Sequence, residues 1–368
     1  MLQQQSSIWR YFDLWLAAAV ILLTAFGIMM IQSAVTGAPA FETYPQRQVL
    51  YALAGIAAMF IFAAIDYRVL TSGHWYIFAG IVASLILVMI VGVITNGSRR
   101  SFDLGFIQFQ PSEFGRVFMA ITLGQFLAQR QHLVTKFSNT LIALAYVGVP
   151  VALIFVEPDL GMAILFGVMW FVMMFMAGLP LSHFALLATV AIAGGALILP
   201  SLAEYQQQRI VAFVDPEAVP EQAFNIEQAL IAIASGGLFG KGYLQGTQSQ
   251  LGFLRVQHTD FIFAVITEEL GLIFGSLVVI ALIGFILLRI LKVAEITPDA
   301  AGRYLCVGIA GVLFFQTVVS IGMNLRLIPV TGLTLPFVSY GGSSLVTLYM
   351  AIGVVQSVRM RHRKQEFG

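Results

Sequence analysis

The stretch His258-Thr-Asp-Phe-Ile-Phe-Ala-Val-Ile-Thr-Glu-Glu-Leu-Gly271 opens on charge and then carries two more carboxylates into an apolar run that continues to Leu288. Asp260 stands at the mouth of that run. At about 1.5 Å per helical residue, Glu268 and Glu269 lie roughly 12 Å further in. An ionised side chain inside a membrane helix costs several kcal/mol unless it is paired or hydrated, so residues placed this way mark function. A run of this length spans a bilayer as a helix. The rest of the chain is expected to build a cavity around Asp260.

The composition supports a membrane fold. Of 368 residues, 59% are hydrophobic and 10% charged, with a mean hydropathy of +0.90. A soluble domain does not have this balance. Cys306 is the lone cysteine, which excludes an internal disulfide and a cysteine-rich metal site. Five scattered histidines without His-x-x-x-His spacing give no zinc site. The net charge of +1 gives no reason to expect nucleic acid.

Ten apolar runs are long enough to span, at about 14–33, 49–65, 74–94, 114–128, 139–155, 161–178, 184–200, 261–288, 304–325 and 337–357. Lipid offers backbone groups no partner, so each run reads as a helix. The expected fold is an all-α integral membrane protein, a single polytopic domain over residues 1–368, with a large loop at about 201–260 between the seventh and eighth spans. An even number of spans puts both termini on one side. That side carries 11 of the 19 basic residues and five acids, so the positive-inside rule makes both termini cytoplasmic. Asp260 then faces outward.

The outward segments hold the unusual chemistry. In Gln108, Gln110, Pro111, Ser112, Glu113 and Arg116, Ser112 reads as an N-cap for the fourth span. Glu113 and Arg116 are spaced to pair on one helix face. Arg99 and Arg100 precede them and read either as interfacial charge or as guanidinium forks for an anionic headgroup. In Glu157-Pro-Asp-Leu-Gly161, Asp159 suits an N-cap, whereas Glu157 has less structural reason to be there. Gly236-Gly-Leu-Phe-Gly240-Lys241-Gly242 fails the phosphate-loop pattern at both ends, and a nucleotide site is rejected. Segments 204–213 and 225–234 read as short amphipathic helices at the interface. Near the C-terminus, Pro329, Gly332, Pro336 and Gly341 break helix at membrane depth, which lipid tolerates only against protein or a water-filled cavity. Ser343 follows this break.

Together, His258–Gly271, Pro329–Leu345, Gln110–Glu113 and Glu157–Gly161 resemble the SEDS family (shape, elongation, division and sporulation) over essentially the whole chain. Gly246-Thr-Gln-Ser-Gln250 is more similar to the elongation branch than to the division branch. The resemblance implies a peptidoglycan glycosyltransferase that polymerises lipid II outside the cytoplasmic membrane. Its implied partners are a class B penicillin-binding protein acting as transpeptidase and other membrane proteins of the elongation complex. It also implies that Asp260 is essential. The chain departs from the family pattern at Ser101 (usually Trp), Arg116 (usually Lys), Arg255-Val256 (usually Pro-Glu), Met162 (usually Thr) and Arg326 (usually Gly).

Lipid II carries an α-linked pyrophosphate and the polymer is β-1,4-linked, so inversion calls for one general base and a stabilised leaving group. Asp260 is expected to be that base. Arg100, Arg116 and Lys241 are expected to stabilise the pyrophosphate, and Glu113, Glu157, His258 and Ser343 to contact substrate. No cofactor is required by the sequence, although a divalent cation such as Mg²⁺ suits a pyrophosphate. Two competing readings are a lipid II flippase and a scaffold that activates a transpeptidase. A flippase calls for paired broken helices and an internal repeat. The sequence shows broken helix only near the C-terminus.

Overall fold

A computed structural model describes residues 8–95, 98–103, 105, 108–198, 200 and 202–362. The first half contains α1 (Leu14–Val35), α2 (Tyr44–Ala64), the short α3 (Tyr67–Ser72), α4 (His74–Val91), α5 (Pro111–Gln129), α6 (Phe137–Val156), α7 (Leu160–Met176) and α8 (Leu181–Ile198). The second half contains α9 (Glu204–Val214), α10 (Pro220–Gly236), α11 (Thr247–Gln250), α12 (Ile262–Gly271), α13 (Leu277–Ile296), α14 (Ala300–Asn324) and α15 (Gly342–Arg361). A helix occupies each of the ten apolar runs. Among the described residues, seven segments are long and apolar enough to cross a membrane, with α12 and α13 counted as one. The chain is a multi-pass membrane protein. The remaining three runs are α5, which carries Glu113 and Arg116, and the shorter apolar helices α7 and α8.

Side-chain caps set several helix starts. Asp13 accepts from Leu16 N at 3.2 Å, Asp159 from Met162 N at 3.1 Å and Asp299 from Gly302 N at 2.9 Å. Ser112 does not cap α5. Pro111 takes the first helical position, where its missing N–H costs nothing, so the helix begins two residues earlier than a Ser112 cap would place it, and Gln110 flanks it.

At the centre stand α14 and α15, the most buried of the spanning helices, at 78% and 83% of their apolar windows. Small residues let their backbones come close to neighbours. A Cβ on Gly353 of α15 would sit 2.5 Å from the Met59 carbonyl of α2, and one on Gly124 of α5 would sit 3.1 Å from the Ala301 carbonyl of α14. Between α4 and α5 the chain forms a small antiparallel sheet, β1 (Val93–Thr95), β2 (Ser98–Asp103) and β3 (Gln108–Phe109), in that order. The apolar periodicity of the spans gave no sign of it.

The eighth run is not one continuous helix. Gly271 adopts φ +74° and a π-helical turn, Leu272–Ser276, separates α12 from α13. The 237–242 loop lies against this break. Lys241 N donates to Glu268 O at 3.0 Å, Gly242 N to Glu269 O at 2.8 Å, Leu272 N to Gly237 O at 3.0 Å and Ile273 N to Leu238 O at 3.1 Å. Cβ atoms on Gly240 or Gly271 would come within 2.2 and 2.3 Å of opposing backbone, which explains both glycines. Broken helix is therefore not confined to the C-terminal region. Here the backbone freed by the break pairs with protein.

Candidate active site

The α14–α15 connection, 325–341, runs as irregular backbone inside the bundle, held by polar side chains from three helices and by the backbone of 258–259. Gln316 Nε2 donates to Thr334 O at 2.8 Å, Arg209 Nη1 to Val330 O at 3.4 Å and Gln48 Nε2 to Ser339 O at 3.1 Å. Tyr340 N donates to His258 O at 2.9 Å, and Ser339 Oγ to Thr259 O at 2.7 Å. Asn324 Nδ2 donates to the Asp260 carbonyl at 2.8 Å while its Oδ1 accepts from Ala264 N at 3.2 Å, which ties the start of α12 to the end of α14. Thus the broken C-terminal segment and the segment carrying Asp260 fix one another.

They enclose one side of a cavity of about 1020 Å³. Its wall includes Asp260, Arg100, Glu113, Ser343, Arg47 and Arg209. Asp260 is half-buried. Burial pushes its carboxyl upward, against the opposing pull of the Arg209 and Arg100 charges and the Thr259 hydroxyl. A carboxylate raised from its ordinary range beside a polar cavity is suited to accept a proton.

Arg100 sits 3.9 Å from Asp159 and stays partly exposed to the cavity. Arg209, on α9, stacks over Tyr205 with 5.6 Å to the ring centroid. The Tyr205 hydroxyl donates to the Pro158 carbonyl, which also accepts from Gln206 Nε2 at 2.9 Å. The amphipathic segment 204–213 therefore docks on the cavity rim through the Glu157–Gly161 turn and presents its arginine inward. Ser343, in the first turn of α15, donates to Gln108 O and accepts from Gln110 N at 3.3 Å, joining β3 to the rim.

The other expected site residues stand away from the cavity. Arg116 lies behind its wall, 2.7 Å from Glu113 and bonded to Gln316 Oε1 at 2.9 Å and to Ser344 O and Oγ at 3.2 Å. The guanidinium braces α5 against α14 and α15, is buried, and does not line the cavity. Lys241 donates to Glu268 at 2.8 Å and Thr247 at 2.7 Å, with no contact to the cavity. The ring of His258 makes no hydrogen bond to Asp260. It packs among Phe41, Tyr44 and Tyr340 with centroids 4.9, 5.1 and 5.9 Å away, and burial lowers its pKa to about 4, leaving it neutral. Glu157 is buried beneath the rim with both carboxyl oxygens unpartnered. Burial and the Asp159 charge raise it to about 8, against the opposing Arg100 charge.

Glu268 and Glu269 are fully buried and well satisfied. Glu268 accepts from Lys241, from Thr247 Oγ1 at 3.1 Å, from Gln248 N at 2.9 Å and from Ser249 N at 3.2 Å. Glu269 accepts from Ser33 Oγ at 2.6 Å and Leu244 N at 3.2 Å. They hold the 241–250 loop to α12. Among the described residues no group of three or more His, Cys, Asp or Glu is arranged to hold a metal ion.

Residues 13–364 match the FtsW/RodA/SpoVE model, described as cell cycle protein. The chain belongs to this family. Its members include the peptidoglycan glycosyltransferase MrdB of Escherichia coli K12, 38% identical over 87% of this chain and 86% of that protein. Stage V sporulation protein E of Bacillus subtilis 168 is 36% identical over 94% and 96%. Among solved structures, a chain described under the structural coordination of polymerization and crosslinking by a peptidoglycan synthase complex superposes with a TM-score of 0.82, at 30% identity, over 96% of this chain and 99% of that one. An aspartate-to-alanine variant of the Thermus thermophilus rod shape determining protein RodA superposes at 0.72 and 28% identity, over 96% and 98%.

Within this family fold, two cavity arginines escaped the sequence reading. Arg209 lies inside segment 204–213, which reads as an amphipathic helix at the interface, and Arg47 lies just before the run at 49–65. Neither has a spacing signal that separates a cavity residue from a snorkelling one. Two departures from the family pattern gain a structural meaning. Arg326 stands at φ +55°, where glycine is at ease, and Val256, at φ +54°, places an apolar side chain on the cavity wall.

Proposed function

We propose that this protein is a peptidoglycan glycosyltransferase that joins lipid II disaccharides into β-1,4-linked strands, with Asp260 as general base. The observation that carries the reading is the half-buried carboxylate of Asp260 on the wall of a large cavity, under the influence of two arginines. The acceptor 4-hydroxyl attacks the anomeric carbon of the donor sugar. A new C1–O4 bond forms as the C1–O bond to pyrophosphate breaks. The hydroxyl proton goes to Asp260, and the bonding pair leaves with the pyrophosphate, whose charge Arg100 and Arg209 stabilise. Attack from the face opposite the leaving group gives inversion. A retaining route calls for a second carboxylate as nucleophile about 5 Å from the first. Of the other carboxylates lining the cavity, Glu113 pairs with Arg116 at 2.7 Å, Asp159 caps α7, and Asp103 accepts from Gly105 N at 2.8 Å, while Glu268 and Glu269 are committed to the 241–250 loop and do not line it.

The topology follows from charge. All ten helical runs span, and the end of the bundle away from Asp260 carries Arg289, Lys292, Arg359 and Arg361, which makes it and both termini cytoplasmic. The cavity then opens on the outer face, where flipped lipid II is available. The helix break at Gly271 resembles transporter design, but loop backbone fills it and no inverted partner accompanies it among the described residues, so the flippase reading gains nothing. A class B penicillin-binding protein is the transpeptidase partner in this reading, supported by the likeness to a chain from a peptidoglycan synthase complex. Rod-shape elongation is the cellular role, supported by the RodA likeness. The test is polymerisation of purified lipid II by the purified protein in proteoliposomes, with and without the partner. Glycan strands are the expected product; transbilayer movement of lipid II without any polymer overturns the reading.

A further inference from the structure

A second, smaller hollow lies at the end of the bundle away from Asp260. α15 begins beside the cavity rim at Ser343, and its last turn lies roughly 25 Å further along the helix. There, among the described residues, Arg359 and His362 join Tyr11, Lys292 and Ile296 around a pocket of about 260 Å³. Three segments far apart in the sequence meet in it: the approach to α1, the end of α13 and the end of α15.

The charges around this pocket do not cancel. Asp13, buried at the start of α1, is the acid that braces the region. Its Oδ1 accepts from Leu16 N at 3.2 Å. Its Oδ2 takes Arg289 Nε and Nη2 at 2.9 and 2.6 Å, and Arg359 Nη1 at 3.1 Å. One carboxylate therefore answers two guanidinium groups. Lys292, one turn beyond Arg289, is exposed and makes no ion pair among the described residues. Glu295 is a turn further on and does not line the pocket. The cluster keeps an excess of positive charge.

Its geometry is set in advance. Arg359 also donates from Nε to Tyr11 O at 3.2 Å, yet its side chain stays 23% exposed. His362 Nδ1 donates to Arg359 O at 2.5 Å, and the ring packs edge-on against Tyr11 with centroids 5.9 Å apart. A guanidinium held this way gives phosphate oxygens a fixed fork, and Lys292 adds a mobile point charge. The apolar surroundings decide what carries the phosphate. Leu288, Lys292 and Ile296 follow one another at four-residue spacing on one face of α13, and all three are exposed. An acyl chain follows that apolar stripe while its phosphate meets the cations; a free phosphate uses the cations alone. Basic pockets between spanning helices take lipid headgroups in this way. We propose that this pocket binds the phosphate of an anionic phospholipid from the leaflet at this end of the bundle, clamping α1, α13 and α15 together. The site stands apart from the reaction at Asp260 and does not rest on the polymerase reading.

The experiment titrates the purified, delipidated full-length protein in neutral detergent with phosphatidylglycerol and, separately, with zwitterionic phosphatidylcholine, and follows bound lipid by native mass spectrometry. The first phosphatidylglycerol is expected to bind well ahead of phosphatidylcholine. Lys292→Gln, at an exposed and unpaired position, should weaken that first molecule about tenfold, and Lys292→Arg should keep it. Lys136→Gln removes an exposed cation that does not line the pocket and should change nothing. Equal binding of the two lipids, an unchanged affinity in Lys292→Gln, or an equal loss in Lys136→Gln overturns the site. Thermal unfolding separates the sources of phosphate: phosphatidylglycerol should raise the midpoint of the unaltered protein, and glycerol 3-phosphate should not. An equal rise with glycerol 3-phosphate overturns the lipid as ligand.

Discussion

Asp260 and the Glu268–Glu269 pair lie within ten residues on one segment, and the structure treats them in opposite ways. The glutamates are fully buried, and Glu268 alone accepts from four donors of the 241–250 loop. Asp260 is half-buried and faces a cavity, with the Arg209 and Arg100 charges acting on it. Depth in the membrane does not by itself mark the reacting group. A carboxylate whose lone pairs are all committed is structural, and one left with capacity toward a cavity is available for chemistry.

This contrast breaks most easily at Glu268. Glu268→Ala leaves the Lys241 ammonium and two loop amides without their acceptor, and is expected to cost about 3–5 kcal/mol of stability. Thermal unfolding in detergent checks it; an unchanged midpoint would mean that the loop is held by something else. Glu157 sharpens the contrast through pH. Its folded pKa is raised to about 8, so the native state keeps a proton that the unfolded chain releases near the usual glutamate value. Its contribution to stability is therefore full below that value and declines as pH rises through about 8. Unfolding midpoints measured across pH 5–9 should fall with rising pH in the unaltered protein, and fall less in Glu157→Gln. Smaller still is Arg326→Gly, which relieves a left-handed backbone conformation at φ +55°. It should raise stability by about 1 kcal/mol, read as a higher thermal midpoint, with polymerisation unchanged.

The sequence made much of this visible because membrane burial penalises charge. The helical runs followed from apolarity, the cavity position of Asp260 from a charge that lipid would reject, and the Glu113–Arg116 pairing from their spacing on one helix face. What stayed hidden depends on contacts between distant segments. The fit of the 237–242 loop to the break at Gly271 is carried by backbone hydrogen bonds, and its only trace is Gly236, Gly240 and Gly271. Arg116 looked exposed to a ligand because its second partner, Gln316, is 200 residues away. Arg209 and Arg47 reached the cavity through the docking of α9 and α2, which no local pattern reports.

The central claim is that Asp260 takes the proton from the acceptor hydroxyl. Its most direct test is the initial rate of glycan formation from purified lipid II in proteoliposomes, comparing the unaltered protein with Asp260→Asn. Loss of the base predicts a fall of about 10²–10⁴-fold with lipid II binding and the thermal midpoint preserved. Full activity in a folded Asp260→Asn protein would contradict it.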